Sequence, residues 1–119
     1  MNIHEKINYV EFPATDLLAT KAFFIEVFGW TFQDFGPDYM AFSDHVIDGG
    51  FYKSDKNSST DNGAALVVFY SSKLEETMTK IEKAGGKIVK TIFTFPGGRR
   101  FHFTDPNGNE FSVWSDNIE

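Results

Sequence analysis

The 119-residue sequence contains one pattern twice, and this repeat limits the folds that the chain can adopt. A shift of 57 positions superimposes Gly29 on Gly86, and a shift of 61 superimposes residues 39–44 on residues 100–105. Self-similarity of this kind indicates two copies of one structural unit of roughly 55–60 residues. The alternative is a chance similarity between strands that are rich in aromatic residues.

Each copy has the same predicted order of elements, a strand, a helix and three further strands. The first helix is predicted over residues 16–28 and ends at Gly29, and the second has a possible capping box formed by Ser72 and Glu75. The predicted strands cover residues 5–12, 30–35, 38–43, 46–53, 64–70, 87–93, 99–104 and 109–115. The fold class is therefore predicted to be α+β, with two tandem βαβββ units.

No linker interrupts the chain, so we expect a single domain over residues 1–119, with repeat units at approximately 1–58 and 59–119. The chain contains 20 aromatic residues, 14 of them Phe, which is more than a small core needs. Some of these rings could line a cavity or an interface, or Phe could simply replace Leu in an ordinary core. The sequence leaves both explanations open.

The charge and the composition argue against several classes of partner. The net charge is −6, the only two arginines are adjacent, and the nine lysines are scattered, so the sequence has no basic cluster of the kind that binds nucleic acid. No apolar run approaches the roughly 18 residues of a membrane span, and the N-terminus lacks the apolar stretch of a signal peptide. We expect a cytoplasmic protein that binds neither nucleic acid nor membrane. The absence of Cys excludes disulfides and thiolate metal sites.

Three motifs accompany the repeat: Glu-Phe-Pro-Ala-Thr-Asp-Leu at residues 11–17, Phe-Phe-Ile-Glu-Val-Phe-Gly-Trp at 23–30 and Asp-Pro-Asn-Gly-Asn-Glu at 105–110. In combination they resemble the vicinal oxygen chelate superfamily of glyoxalases, bleomycin-resistance proteins and extradiol dioxygenases, and in particular its glyoxalase-like branch. The resemblance covers nearly the whole chain. It implies half-barrel sheets around a cavity that usually holds a divalent metal, bound by His or Gln on the first strand of each unit and by Glu on the last.

The positions of this chain that match the family's metal ligands do not carry ligands. The first-strand positions are Tyr9 and Leu66, and the last-strand positions are Phe51 and Ser112. Divalent metals need three or four imidazole, carboxylate or similar ligands. The three histidines do not have the spacing of a metal site either. We therefore expect no metal and no cofactor.

Period-two alternation selects the side chains that we expect to bind a ligand if the family's ligand positions face inward. They are Tyr9, Glu11, Phe51, Leu66, Ser112 and Trp114. Glu11 is the candidate catalytic residue, because a carboxylate in an aromatic cavity could act as an acid or a base; alternatively, it is solvated or paired with a lysine. Arg100, in the Arg99-Arg100 pair, could hold a carboxylate, or the pair could only balance surface charge. His102 is a further candidate, although the inward face of its strand is undecided.

Two functions remain open at this point. The first is a protein of unassigned activity that binds a small apolar or aromatic molecule in a metal-free cavity. The second is an enzyme of the lyase, isomerase or dioxygenase type, using Glu11 or a displaced divalent-metal site. We also expect a homodimer, because small sheets have open edges and aromatic residues concentrate in interfaces. The candidate interface residues are Trp30, Phe32, Phe35 and Trp114, although core packing explains any single one of them as well.

Overall fold

The computed structural model describes residues 2–117 and has the predicted order of elements. The strands are Tyr9–Ala14 (β1), Thr31–Asp34 (β2), Tyr39–Ser43 (β3), Asp48–Lys53 (β4), Val67–Tyr70 (β5), Lys87–Phe95 (β6), Gly98–Thr104 (β7) and Glu110–Ser115 (β8). The α-helices are Leu17–Phe28 (α1) and Leu74–Lys83 (α2), and a short 3-10 turn covers Thr60–Asn62. The α+β class and the two tandem βαβββ units are confirmed.

The two units form separate four-stranded sheets with the same topology. Their strand orders are β1-β4-β3-β2 and β5-β8-β7-β6. In each sheet the first strand pairs in parallel with the last, and the remaining pairs are antiparallel. Neither α-helix in the described part of the chain is long and apolar enough to cross a membrane.

The 61-position shift found in the sequence does not hold for the last strand of each unit. Gly50 pairs with Glu11 in the first sheet, and Ser112 pairs with Val68 in the second, so corresponding residues of β4 and β8 are 62 positions apart. The extra residue lies in the turn between β7 and β8, which is longer than the turn between β3 and β4. Phe51 was therefore assigned to the wrong face of its strand: it is fully buried in the core.

Aromatic rings of α1 join the two sheets into one core. The Phe24 ring lies 5.5 Å from Phe51 of the first sheet and 5.6 Å from Phe111 of the second, between ring centroids. The Phe28 ring stacks on Phe69 of the second sheet at 4.3 Å. The other buried aromatic residues of this core are Phe12, Phe23, Trp30, Phe42, Phe101 and Phe103. Most of the aromatic excess thus serves the core, including Trp30, for which core packing was the alternative to an interface.

Several predicted strand boundaries and one predicted helix cap differ from the structure. β1 begins at Tyr9 rather than at residue 5, because its pairing partner β4 begins at Asp48, directly opposite Tyr9. The capping box of Ser72 and Glu75 does not form. The Glu75 carboxylate instead accepts hydrogen bonds from Arg99, at 2.5 and 3.2 Å.

The turn between β7 and β8 fastens the second unit to the first. The side-chain oxygen of Asn107 accepts hydrogen bonds from the backbone N–H groups of Thr15 and Asp16, at 3.0 and 3.1 Å. The side-chain amide of Asn109 donates to the carbonyl oxygen of Pro13 at 2.7 Å. These bonds satisfy backbone groups at the junction of β1 and α1. The Asp-Pro-Asn-Gly-Asn motif therefore has a structural role, because it connects the two units.

Asp105 organises this turn from within. Its carboxylate accepts hydrogen bonds from the backbone N–H groups of Asn107 and Asn109, each at 2.9 Å, and from both side-chain amides. Burial raises the pKa of Asp105, because loss of hydration outweighs these hydrogen bonds. The Asp105 carboxylate thus stabilises the turn through hydrogen bonds to Asn107 and Asn109.

We predict that Asn107→Ala lowers the free energy of unfolding by about 2 kcal/mol or more, because it leaves two backbone N–H groups without their acceptor. Chemical denaturation followed by circular dichroism measures this change. Asn8→Ala is the matched control, since Asn8 is exposed, and it should change the unfolding free energy by less than about 0.5 kcal/mol. Equal effects of the two substitutions would show that the turn does not hold the units together.

Candidate functional site

Each sheet packs one face into the shared core, and its other face points away from the core. We call these surfaces the N-terminal and the C-terminal outward faces. The N-terminal outward face carries Tyr9, Glu11, Gln33, Tyr39, Asp48 and Tyr52. The C-terminal outward face carries Tyr70, Phe93, Phe95, Arg100, His102 and Trp114. Of the predicted functional side chains, Tyr9 and Glu11 thus lie on one surface and Arg100, His102 and Trp114 on the other.

On the N-terminal outward face a chain of hydrogen bonds links three side chains. The Tyr9 and Tyr39 hydroxyl groups are 2.6 Å apart, and the Tyr39 hydroxyl donates to Glu11 Oε2 at 2.9 Å. Tyr39 can lie across the sheet because residue 50 is glycine: a Cβ atom there would overlap the tyrosine hydroxyl. Burial and the hydrogen bonds with Tyr9 and Glu11 raise the pKa of Tyr39. Glu11 itself is exposed to solvent and does not lie in an aromatic cavity.

On the C-terminal outward face one arginine lies within a group of four aromatic residues. The Trp114 ring lies edge-on to Tyr70 at 5.3 Å and to Phe95 at 6.2 Å. The Arg100 guanidinium lies over Phe93 and Phe95, 5.3 and 5.5 Å from their ring centroids. Such contacts stabilise a cation beside an apolar surface. The result is a partly exposed aromatic patch with a positive charge inside it.

The two adjacent arginines have different environments. Arg99 forms an ion pair with Glu75 across the edge of the second unit. Arg100 has no ion pair within residues 2–117, and its buried Nε atom has no hydrogen-bond partner there. A half-buried guanidinium without an acid is unusual in a chain with a net charge of −6. Arg100 is therefore available to an external anion.

Next to Arg100 on the same face, His102 is held by Glu110. His102 Nδ1 and Glu110 Oε2 are 2.7 Å apart, and the backbone N–H and the hydroxyl of Thr60 donate to Glu110 Oε1 at 2.9 and 2.8 Å. Burial opposes ionisation of Glu110, but the hydrogen bonds from His102 and Thr60 outweigh it and lower the pKa of this carboxyl. Both carboxylate oxygens are thus occupied, and the imidazole ring is fixed in orientation.

The other ring nitrogen of His102 remains free. The side chain is 3% exposed, and its Nε2 atom has no hydrogen-bond partner in the described residues. His102 lies between the Arg100 patch and a groove of about 340 Å³ whose lining includes Thr60, Lys90 and Glu110. The C-terminal outward face therefore combines an aromatic patch, an unpaired cation, an oriented imidazole and a groove.

The positions that correspond to the family's metal ligands do not fit a metal. The Tyr9 hydroxyl is hydrogen-bonded to Tyr39, and Leu66 is apolar. The structure puts Gly50, which has no donor side chain, at the position predicted for Phe51, and Phe51 lies in the core. Ser112 is fully buried and donates its hydroxyl proton to the carbonyl oxygen of a β7 residue at 3.0 Å. Among residues 2–117, no three His, Asp or Glu side chains lie close enough together to hold a metal ion.

The sequence analysis identified Arg100, His102 and Trp114 of this face, but neither the aromatic residues around them nor how the side chains are connected. It left the orientation of β7 undecided, and the structure places Phe101 and Phe103 in the core and His102 on the outward face. It did not pair His102 with Glu110. The signal was present, because alternation along a hairpin puts these two residues on the same face near its turn. The pattern could not show that Thr60, which lies outside the hairpin, also binds Glu110.

Comparisons with known proteins agree with this fold. The sequence model of the Glyoxalase/Bleomycin resistance protein/Dioxygenase superfamily matches residues 6–113. The fosfomycin resistance protein FosX from Listeria monocytogenes is similar in structure, with a TM-score of 0.78 and 15% identity over 98% of this chain and 100% of that chain. A glyoxalase-related enzyme from Fulvimarina pelagi gives a TM-score of 0.73 and 19% identity over 93% and 88% of the two chains.

A third similar structure is a glyoxalase/bleomycin resistance protein/dioxygenase family enzyme from Burkholderia phytofirmans PsJN. Its TM-score is 0.76 at 16% identity, with 91% of this chain and 96% of that chain covered. At such identities the structures share a fold, and the ligands of one do not follow from those of another. No curated protein sequence matches the chain.

Proposed function

Since this chain belongs to the Glyoxalase/Bleomycin resistance protein/Dioxygenase superfamily, we propose that it uses the family's fold to bind a small apolar or aromatic molecule without a metal. The binding surface is the C-terminal outward face. The observation that carries this proposal is the aromatic patch around Arg100. The proposal keeps the expectation of a cytoplasmic protein that binds neither nucleic acid nor membrane.

The composition of the patch supports ligand binding. Small-molecule sites are mostly apolar or aromatic, with a few polar groups that fix the orientation of the ligand. Here Tyr70, Phe93, Phe95 and Trp114 supply the apolar surface. Arg100 supplies a polar group that no other part of residues 2–117 neutralises.

We propose a metal-free site because the side chains at the family's ligand positions are not suitable metal ligands. A tyrosine hydroxyl, a leucine, a glycine and a buried serine occupy the matching positions. The chemistry of these side chains does not suit Zn, Mn or Fe. In the structure of a FosX mutant from Listeria monocytogenes with bound Mn(II) and 1S,2S-dihydroxypropylphosphonic acid, by contrast, a metal accompanies the small molecule.

A homodimer would complete the site. In one chain the outward faces of the two sheets point away from the shared core, so neither covers the other. The N-terminal outward face carries the acidic Glu11 and Asp48, and the C-terminal outward face carries Arg100 and Lys90. A two-fold axis can set the acidic face of each copy against the basic, aromatic face of its partner. The ligand would then lie between sheets of two chains.

We predict that indole or phenol raises the melting temperature, by an amount equivalent to about 2.7 kcal/mol at a hundredfold excess over Kd. The increase should persist in EDTA, because no metal takes part. Trp114→Ser should abolish it by removing a wall of the patch. Leu18→Ser is the matched control, since Leu18 is 78% exposed and lies on α1, outside both outward faces. Thermal shifts that Trp114→Ser leaves unchanged would contradict this location.

Light scattering at micromolar concentration should give twice the 13.5 kDa chain mass. The physical reason is the complementary charge of the two outward faces. Glu11→Lys together with Asp48→Lys should reverse the charge of one face and favour the monomer, whereas Glu26→Lys on the exposed side of α1 should not. A monomeric native protein at tens of micromolar would refute the dimer.

A further inference from the structure

We propose that the C-terminal outward face also transfers protons: His102 Nε2 is a general base toward an aromatic carboxylic acid whose carboxylate is held by Arg100. The acid carries a carbonyl group, and the proton comes from the carbon next to that carbonyl. This inference rests on the proposed ligand binding at the same face. It assigns a metal-independent proton-transfer activity to a site that does not include Glu11.

The first support is the orientation of the imidazole. An ionised carboxylate can only accept hydrogen bonds, so the 2.7 Å contact with Glu110 places a proton on Nδ1 of His102. In the neutral ring the lone pair is then on Nε2, which is the atom without a partner in the described chain. A base oriented by a third group, here a carboxylate that Thr60 also holds, is the arrangement that proton abstraction requires.

The second support is the permanent charge beside this base. Guanidinium groups bind carboxylates through two parallel hydrogen bonds, and Arg100 has no such partner within residues 2–117. Phe93 and Phe95 hold the guanidinium in place and offer a surface for an aromatic ring. A molecule with both a ring and a carboxylate matches this surface better than a neutral ring does.

The third support is the spacing of the two groups. Arg100 and His102 lie on the same face of β7, and their Cα atoms are about 7 Å apart along the strand. A carboxylate at Arg100 and a carbon near His102 can therefore belong to one small molecule. Phe93 lies against both groups, 5.3 Å from the guanidinium and 5.9 Å from the imidazole between ring centroids. Because Nε2 is buried, a ligand reaches it only when neighbouring side chains move, and Phe93 ends an irregular stretch of the β6–β7 pairing.

The proposed step is balanced within the site. The C–H bond next to the carbonyl breaks, its proton forms an N–H bond at His102 Nε2, and the electron pair moves into the carbonyl to give an enolate. The positive imidazolium is stabilised by Glu110. Return of the proton to carbon restores the ligand, so in heavy water the net result is exchange of hydrogen for deuterium. No oxidant, reductant or metal is needed.

The test uses two probes that differ by one carbonyl group. The acid 4-phenylbutanoate has the ring and the carboxylate but no acidic C–H next to a ketone, so its calorimetric titration reports binding only. The acid 4-oxo-4-phenylbutanoate has acidic C–H groups beside its ketone, and NMR in heavy water follows their exchange. We expect native protein to bind the first acid and to accelerate exchange in the second by about a hundredfold over His102→Gln.

Four variants separate the roles of the residues, after light scattering has shown that each keeps the native mass. His102→Gln should bind 4-phenylbutanoate like native protein and lose the exchange. Glu110→Gln, which tests a positioning residue, should also retain binding and lower the exchange rate at saturation. Arg100→Met should weaken 4-phenylbutanoate binding tenfold or more and leave indole binding intact. Arg99→Met, the matched control, should leave all these quantities unchanged.

The outcomes distinguish the two proposals. Equal exchange rates with native protein and His102→Gln, while 4-phenylbutanoate binds, would overturn the proton transfer and leave ligand binding intact. Binding of indole but not of 4-phenylbutanoate would overturn the anion site at Arg100, and the proton transfer with it. If neither indole nor either acid binds, the proposed function itself fails.

Discussion

The packing of α1 between the two sheets is the interaction on which the rest of this structure depends. Phe24 contacts rings of both sheets, and Phe28 stacks on Phe69 of the second. Burial of an aromatic ring removes a large apolar area from water, so these contacts supply much of the free energy that holds the units together. They also use the inner face of each sheet. A ligand that binds to the sheets therefore contacts their outer faces.

Because one face of each sheet is in the core and the other is exposed, neighbouring residues of the same motif have different roles. The Asp-Pro-Asn-Gly-Asn turn, which carries much of the resemblance to the family, ties the second unit to the start of α1 through Asn107 and Asn109. Glu110, the next residue, turns to the outer face and orients His102. A structural motif and a candidate functional residue are thus adjacent in the chain. The rigidity of the turn helps to fix the position of the carboxylate.

The sequence predicted the fold well because the fold depends on local patterns. Alternation, turn residues and the internal repeat are each visible within a few dozen positions. The candidate site was predicted less well, because it depends on turn length, on burial and on contacts between residues far apart in the sequence. One additional residue in the last turn reversed the face of Phe51, and burial of Ser112 removed it from the accessible surface. The hydrogen bond from Thr60 to Glu110 joins residues 50 positions apart.

The account places ligand binding on the C-terminal outward face, and the two tryptophans of the chain test this directly. Trp114 lies in the aromatic patch, whereas Trp30 is 6% exposed and stacks within the core between Phe24 and Phe42. In a proton–nitrogen NMR titration with 4-phenylbutanoate, the indole N–H signal of Trp114 should move and that of Trp30 should stay in place. A titration in which Trp30 moves and Trp114 does not would contradict the account.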